Sequence, residues 1–113
     1  MRAIHHPALD EVALGQVLYA LSDPVRLGVV RQLARAGEAT CSALDGGRPK
    51  SSMSHHFRVL REAGLVRTRT DGPAHMNELR RSEIEKRFPG LLVAVLAAEE
   101  VRAALPAKRS VRK

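Results

Sequence analysis

The stretch Pro49-Lys-Ser-Ser-Met-Ser-His-His-Phe-Arg-Val-Leu-Arg-Glu-Ala-Gly-Leu-Val66 decides the fold. Wound as a helix at about 100° per residue, it places Met53, Phe57 and Leu60 on one side and Ser51, Ser54, His55 and Arg58 on the other. The first side asks for a core. The second carries short hydroxyls, an imidazole and a guanidinium, with Glu62 as the one acid near its far end. Side chains of that kind suit close approach to base edges and phosphates in a DNA groove. Lys50 and Ser52, at the start of the helix, are placed to reach phosphates through side chain or backbone amide. His56 falls on the inner edge beside Phe57 and Leu60, where a hydrogen-bonded structural histidine is expected.

Downstream, Gly64 ends the helix and Leu65 to Thr70 alternates like a strand, with Arg67 and Arg69 on one side. Asp71-Gly72-Pro73 is a turn signal, and His75 to Leu79 returns as a second strand. Arg67 and Arg69 are candidate wing contacts to the DNA backbone or minor groove; charges on a strand edge also discourage edge-to-edge pairing. Asp71 at the tip favours phosphate-edge contact over base reading.

Upstream, a first helix is expected from Leu9 to Leu21, with apolar residues around much of its circumference, as for a helix that touches more than its own core. Asp23 is placed to cap the next helix and Pro24 fits its first position. That helix reads Val25 to Ala36, with Gly37 as its terminator. Arg26, in its first turn, is expected to be exposed or salt-bridged. Thr40 to Asp45 suggests a short helix and Gly46-Gly47 a turn. Ser82-Glu83-Ile84-Glu85 matches a capping box. After Phe88-Pro89-Gly90 a last helix runs from Leu91 to Leu105, apolar all round in its first two turns, as expected of a helix between two subunits. The chain thus divides into a flexible arm at 1–8, one domain at 9–105 and a disordered basic tail at 106–113.

The chain has 113 residues, which argues for one domain with a modest core. With two Phe, one Tyr and no Trp, that core must rest on Leu, Val and Ala. The net charge is +7 and is unevenly spread. Residues 48–81 hold eight basic residues against three acids, and Lys108, Arg109, Arg112 and Lys113 add four more. A basic block over a helix and the ribbon after it is an electrostatic footprint for a polyanion. No secretory signal and no apolar run of the ~20 residues needed to span a bilayer is seen. The single cysteine, Cys41, has no internal partner for a disulfide, so a reducing, cytoplasmic setting is expected.

No Ser/His/Asp set, no paired acids and no glycine-rich phosphate loop is present, so nothing supports an enzyme. Cys41, His5, His6 and His75 are the candidates for a metal site, but their spacing is loose for the four ligands zinc takes, and no metal or other cofactor is expected. Cys41 is also a candidate thiol switch, against the commoner role of a small, inert, partly buried residue.

The order of elements is that of a winged helix-turn-helix, and the residues resemble the ArsR/SmtB (arsenic-repressor-like) bacterial transcriptional regulators. Leu21-Ser-Asp-Pro-Val-Arg-Leu27 is similar to that family's "L-x-D-P-x-R-L" opening of the second helix. Ser51 to Val66 is similar to its recognition helix and exit, and Thr70-Asp-Gly72 lies where its wing turns. The resemblance spans residues 12–98. It implies a homodimer built from the first and last helices that binds a partly palindromic operator, represses neighbouring genes and is released by an inducer, often a metal ion. The chain departs from the pattern in three places. Thr40-Cys41-Ser42 stands where many metal-sensing members carry Cys-x-Cys, Leu91 to Leu105 contains no Asp or His, and Ala43 to Arg48 is poor in the usual leucines.

The expectation is a mainly α domain with a small β-hairpin wing that binds double-stranded DNA as a homodimer, answers to an unknown inducer and has no membrane role. Two rival readings keep the fold and change the partner: a winged-helix module that docks another protein, and a nonspecific nucleic-acid binder held by charge alone.

Overall fold

The second helix starts as its sequence dictates. Asp23 Oδ2 accepts hydrogen bonds from the amides of Val25 (2.8 Å) and Arg26 (3.1 Å), and Pro24 occupies the first position, where no amide donor is needed. The computed structural model describes residues 4–105; the tail expected at 106–113 lies outside the described residues. The elements are a 3₁₀ turn (Leu9–Glu11), α1 (Leu14–Leu21), α2 (Pro24–Ala36), β1 (Glu38–Thr40), α3 (Cys41–Leu44), α4 (Lys50–Glu62), β2 (Val66–Asp71), β3 (Ala74–Leu79), α5 (Arg81–Arg87) and α6 (Leu91–Ala104).

The strands form a three-stranded antiparallel sheet of order β1-β3-β2, against which α2, α3 and α4 pack. Val17 and Ala20 of α1, Val30 and Leu33 of α2, Met53, Phe57 and Leu60 of α4, and Ile84 of α5 are buried together. The hairpin register pairs Val66 with Leu79 and Thr68 with Asn77. Asn77 is fully buried and cross-links the sheet. Its Oδ1 accepts from Thr68 Oγ1 (2.7 Å), and its Nδ2 donates to Ala39 O and Cys41 Sγ, both at 3.3 Å. A buried amide satisfied on both sides fixes register as well as contributing stability.

The exit of α4 is a Schellman turn: Gly64 N–H donates to Arg61 O and Leu65 N–H to Leu60 O, both at 3.0 Å. Gly64 has φ +76°, and a Cβ there would come within 3.1 Å of Leu9 Cδ1. The positive φ calls for glycine, and a Cβ would also press on the Leu9 side chain.

Several expectations are corrected. The first helix does not begin at Leu9. Buried Val12 is extended, Arg87 donates to Leu9 O (3.2 Å) and Val12 O (3.1 Å), and α1 starts only at Leu14, where Gln16 Oε1 accepts from the Ala13 amide. Ser82 is no cap. Helix α5 starts at Arg81, Glu83 turns to Arg80 and Arg67, and Glu85 accepts from the amides of Gly90 (2.9 Å) and Val93 (3.3 Å), so it caps α6 instead. Arg26 is buried, not exposed. Strand β1 is additional to the expected hairpin; three residues are too few for a period, and only pairing with β3 defines it. Residues 4–8, expected as a free arm, lie against the body: His6 Nε2 accepts from the Thr68 amide (3.0 Å) and Pro7 O from Arg80 (2.8 Å). Leu44 alone fills the leucine-poor segment before α4, and it is buried.

Among the described residues no helix is long and apolar enough to cross a membrane.

Candidate nucleic-acid interface

Helix α4 separates its faces as its spacing requires. Met53, Phe57 and Leu60 are all but closed to solvent, while Lys50, Ser51, Ser52, Ser54, His55, Arg58 and Glu62 are exposed. The exposed side is a surface of donors on a rigid helix, and among the described residues neither Lys50 nor Arg58 is in an ion pair. Ser52 is partly spoken for: its Oγ donates to Pro49 O (3.0 Å).

A cleft of about 350 Å³ lies between α3, the start of α4 and the wing turn. Lys50, Ser54 and His75 share its wall with Thr40, Cys41 and Asp45 over the Met53 and Phe57 side chains. His75 is thereby brought beside Lys50 and Ser54. It entered the sequence reading only as a loose metal candidate, because nothing local in the hairpin reveals that the wing turn folds back to the start of α4.

The wing arginines are engaged within the protein. Arg67 Nη2 donates to Glu83 Oε1 at 2.8 Å, and Arg69 Nη2 to Glu38 Oε1 at 3.1 Å. Arg80, part of the same basic block, is buried. It holds Glu83 with both its Nε and Nη2, at 3.0 Å each. The Arg80 hydrogen bond, with burial working the other way and Arg67 adding to the pull, holds the Glu83 carboxyl at about 2. Three of the eight basic residues between 48 and 81 are therefore held by two carboxylates of the protein itself, Arg67 and Arg80 sharing Glu83 and Arg69 taking Glu38.

The other candidates are dispersed. Cys41 is half-buried, with its sulfur accepting from Asn77. His6 is turned to Thr68 and His5 is exposed. Among the described residues no three of His, Cys, Asp or Glu gather into a group able to hold a metal ion. His56 is hydrogen-bonded as its position on the inner edge suggests, with Nδ1 3.2 Å from Arg26 Nη1.

A two-faced helix packed after a short helix and followed by a sheet-borne turn defines a winged helix-turn-helix, a DNA-binding class. Comparison with known proteins agrees. A helix-turn-helix domain model matches residues 21–69. An HTH-type transcriptional regulator of Bacillus subtilis, YceK, is 35% identical over 86 residues, covering 74% of this chain and 86% of that one. The arsenical resistance operon repressor of Escherichia coli is 41% identical over 61 residues, half of each chain. The homodimeric winged helix-turn-helix domain of Mb0332 from Mycobacterium bovis, described as a possible ArsR-family regulator, superposes with a TM-score of 0.61 at 25% identity, covering 82% of this chain and 85% of that one. The chain belongs to the ArsR family of DNA-binding transcriptional regulators.

Proposed function

We propose that the protein represses transcription as a homodimer that reads a partly palindromic operator with α4 and is released by an inducer. The observation that carries the reading is the division of α4 into a buried apolar side and an exposed side bearing Ser51, Ser54, His55 and Arg58. Ser54 and His55 are assigned to base edges, and Lys50, Ser51, Ser52 and Arg58 to bases or phosphates beside them. Arg69 is left for the duplex edge once its pair with Glu38 opens, and Arg67, tied to Glu83, serves mainly the body.

Dimerisation is supported by exposed apolar side chains on the two helices expected to make the interface. Leu14, Leu18 and Tyr19 on α1, Val93 and Val101 on α6, and Leu105 just after it are each about half open or more. Large apolar groups clustered on two helices favour association. Pairing them in a two-fold dimer sets two copies of α4 in successive major grooves about 34–36 Å apart. No resident cofactor enters this reading.

The test is selection of a duplex from a random-sequence pool, followed by footprinting. The expected result is a protected site with two half-sites one helical turn apart and affinity that falls steeply with salt. Equal binding to every sequence would replace this reading with charge-driven nonspecific binding, and no binding at all would point to a protein-docking module.

A further inference from the structure

Arg26 is a buried cation that the DNA-facing surface does not use. It is 4% exposed and, among the described residues, is in no ion pair. Its Nε donates to Ala20 O (2.8 Å) and its Nη2 to Tyr19 O (3.3 Å), carbonyls at the end of α1. The tyrosine ring lies 5.0 Å from the guanidinium carbon. A helix C-terminus presents unsatisfied carbonyls and the negative end of the dipole, so the cation is stabilised there without a carboxylate. The remaining fork nitrogen, Nη1, faces His56 Nδ1 on α4 at 3.2 Å.

One group therefore touches three helices. It belongs to α2, closes α1 and reaches α4 at the residue beside His55. The apolar stripe of α4 holds the helix against the core, but Met53 within it is an adaptable side chain. A fixed hydrogen bond on the edge of the stripe resists rotation about the helix axis more sharply than that packing does. We propose that Arg26 and His56 form a positioning pair that sets the rotation of α4, and with it the aim of Ser54 and His55 at base edges. The proposal rests on α4 being the reading helix.

Guanidinium only donates, so in this pair His56 Nδ1 is the acceptor. Asp23 Oδ2 lies 3.9 Å from the same nitrogen, and the His55 ring is 5.8 Å away, centroid to centroid.

The experiment measures the ratio of affinities for a duplex selected from a random pool and for a scrambled duplex, using full-length protein whose folded fraction is checked by circular dichroism. His56→Leu is expected to lower that ratio about tenfold while leaving scrambled-duplex binding within about twofold. His56→Asn, which keeps an acceptor near the Nδ1 position, is expected to restore most of the ratio. Arg26→Lys, lacking the fork, is expected to match His56→Leu, with the double variant no worse than either. The pair is overturned if His56→Leu keeps the full ratio, if it weakens both duplexes equally, or if His56→Asn does no better than leucine. Ser54→Ala and His55→Ala run in parallel. A lowered ratio there beside an intact one in His56→Leu removes the pair alone, and intact ratios throughout remove the reading of α4 as well.

Discussion

Helix α4 and the β2 strand carry the same chemistry to different ends. Each carries two arginines, Arg58 and Arg61 on the helix and Arg67 and Arg69 on the strand. On α4, Arg58 stands open to solvent and, among the described residues, is in no ion pair. On β2, Arg67 and Arg69 are each drawn to a glutamate from another element, Glu83 and Glu38. The lesson is that basic residues in sequence measure a potential for binding polyanions, and that only the partners supplied by the fold decide how much of it faces outward.

The sharpest way to break the comparison is to attack the two sides of α4 separately. Phe57→Ala or Leu60→Ala empties the buried side and is expected to cost about 2–5 kcal/mol of stability, read from the urea midpoint. Ser54→Ala or His55→Ala on the open side is expected to leave that midpoint within about 0.5 kcal/mol. The same two changes should cost about 1–3 kcal/mol of specific binding. Equal effects on folding from both sets would mean that the two faces are not distinct.

Salt dependence sharpens the contrast between helix and strand. Arg58→Ala is expected to lower the slope of log affinity against log salt by about one unit. Arg67→Ala is expected to change it by much less, because its charge is already shared with Glu83. A full unit lost at Arg67 would show that the ion pair gives way to the duplex.

The smallest effect concerns acid. The Glu83 carboxyl is held at about 2 by Arg80 first and Arg67 second, against an ordinary value of 4.5. Its folded pKa is the lower one, so its stabilisation is complete above the ordinary value and is lost as pH falls toward 2. Because the side chain is 41% exposed, screening limits that stabilisation to about 1 kcal/mol or less. Glu83→Gln should remove this part of the acid sensitivity, measured as the urea midpoint between those two pH values.

Much of the fold was legible because its signals are local. The Asp23-Pro24 start, the Gly64 stop, the stripe of Met53, Phe57 and Leu60 and the Asp71-Gly72-Pro73 turn each need only neighbours in sequence. The exposed side of α4 was legible for the same reason. What was not legible depends on partners far along the chain. Strand β1 exists only through β3. Gln16, Arg87 and Val12 break the first helix from three separate places. Arg26 looks like a surface residue of a first turn until α1 and α4 close over it, and the ionic partners of Arg67 and Arg69 lie 16 and 31 residues away.

The seat of His6 on Thr68 has a practical side. Strand β2 lies at the edge of the sheet, and the imidazole occupies one of its outward amides. Burial, with the nearby charges of Arg80, Arg67 and Arg61, holds His6 below the usual histidine range and keeps it an acceptor in neutral solution. An affinity tag fused ahead of it begins only a few residues from the wing, so purification handles belong at the other terminus, and shortened versions that start beyond Pro7 leave a strand open to pairing between molecules.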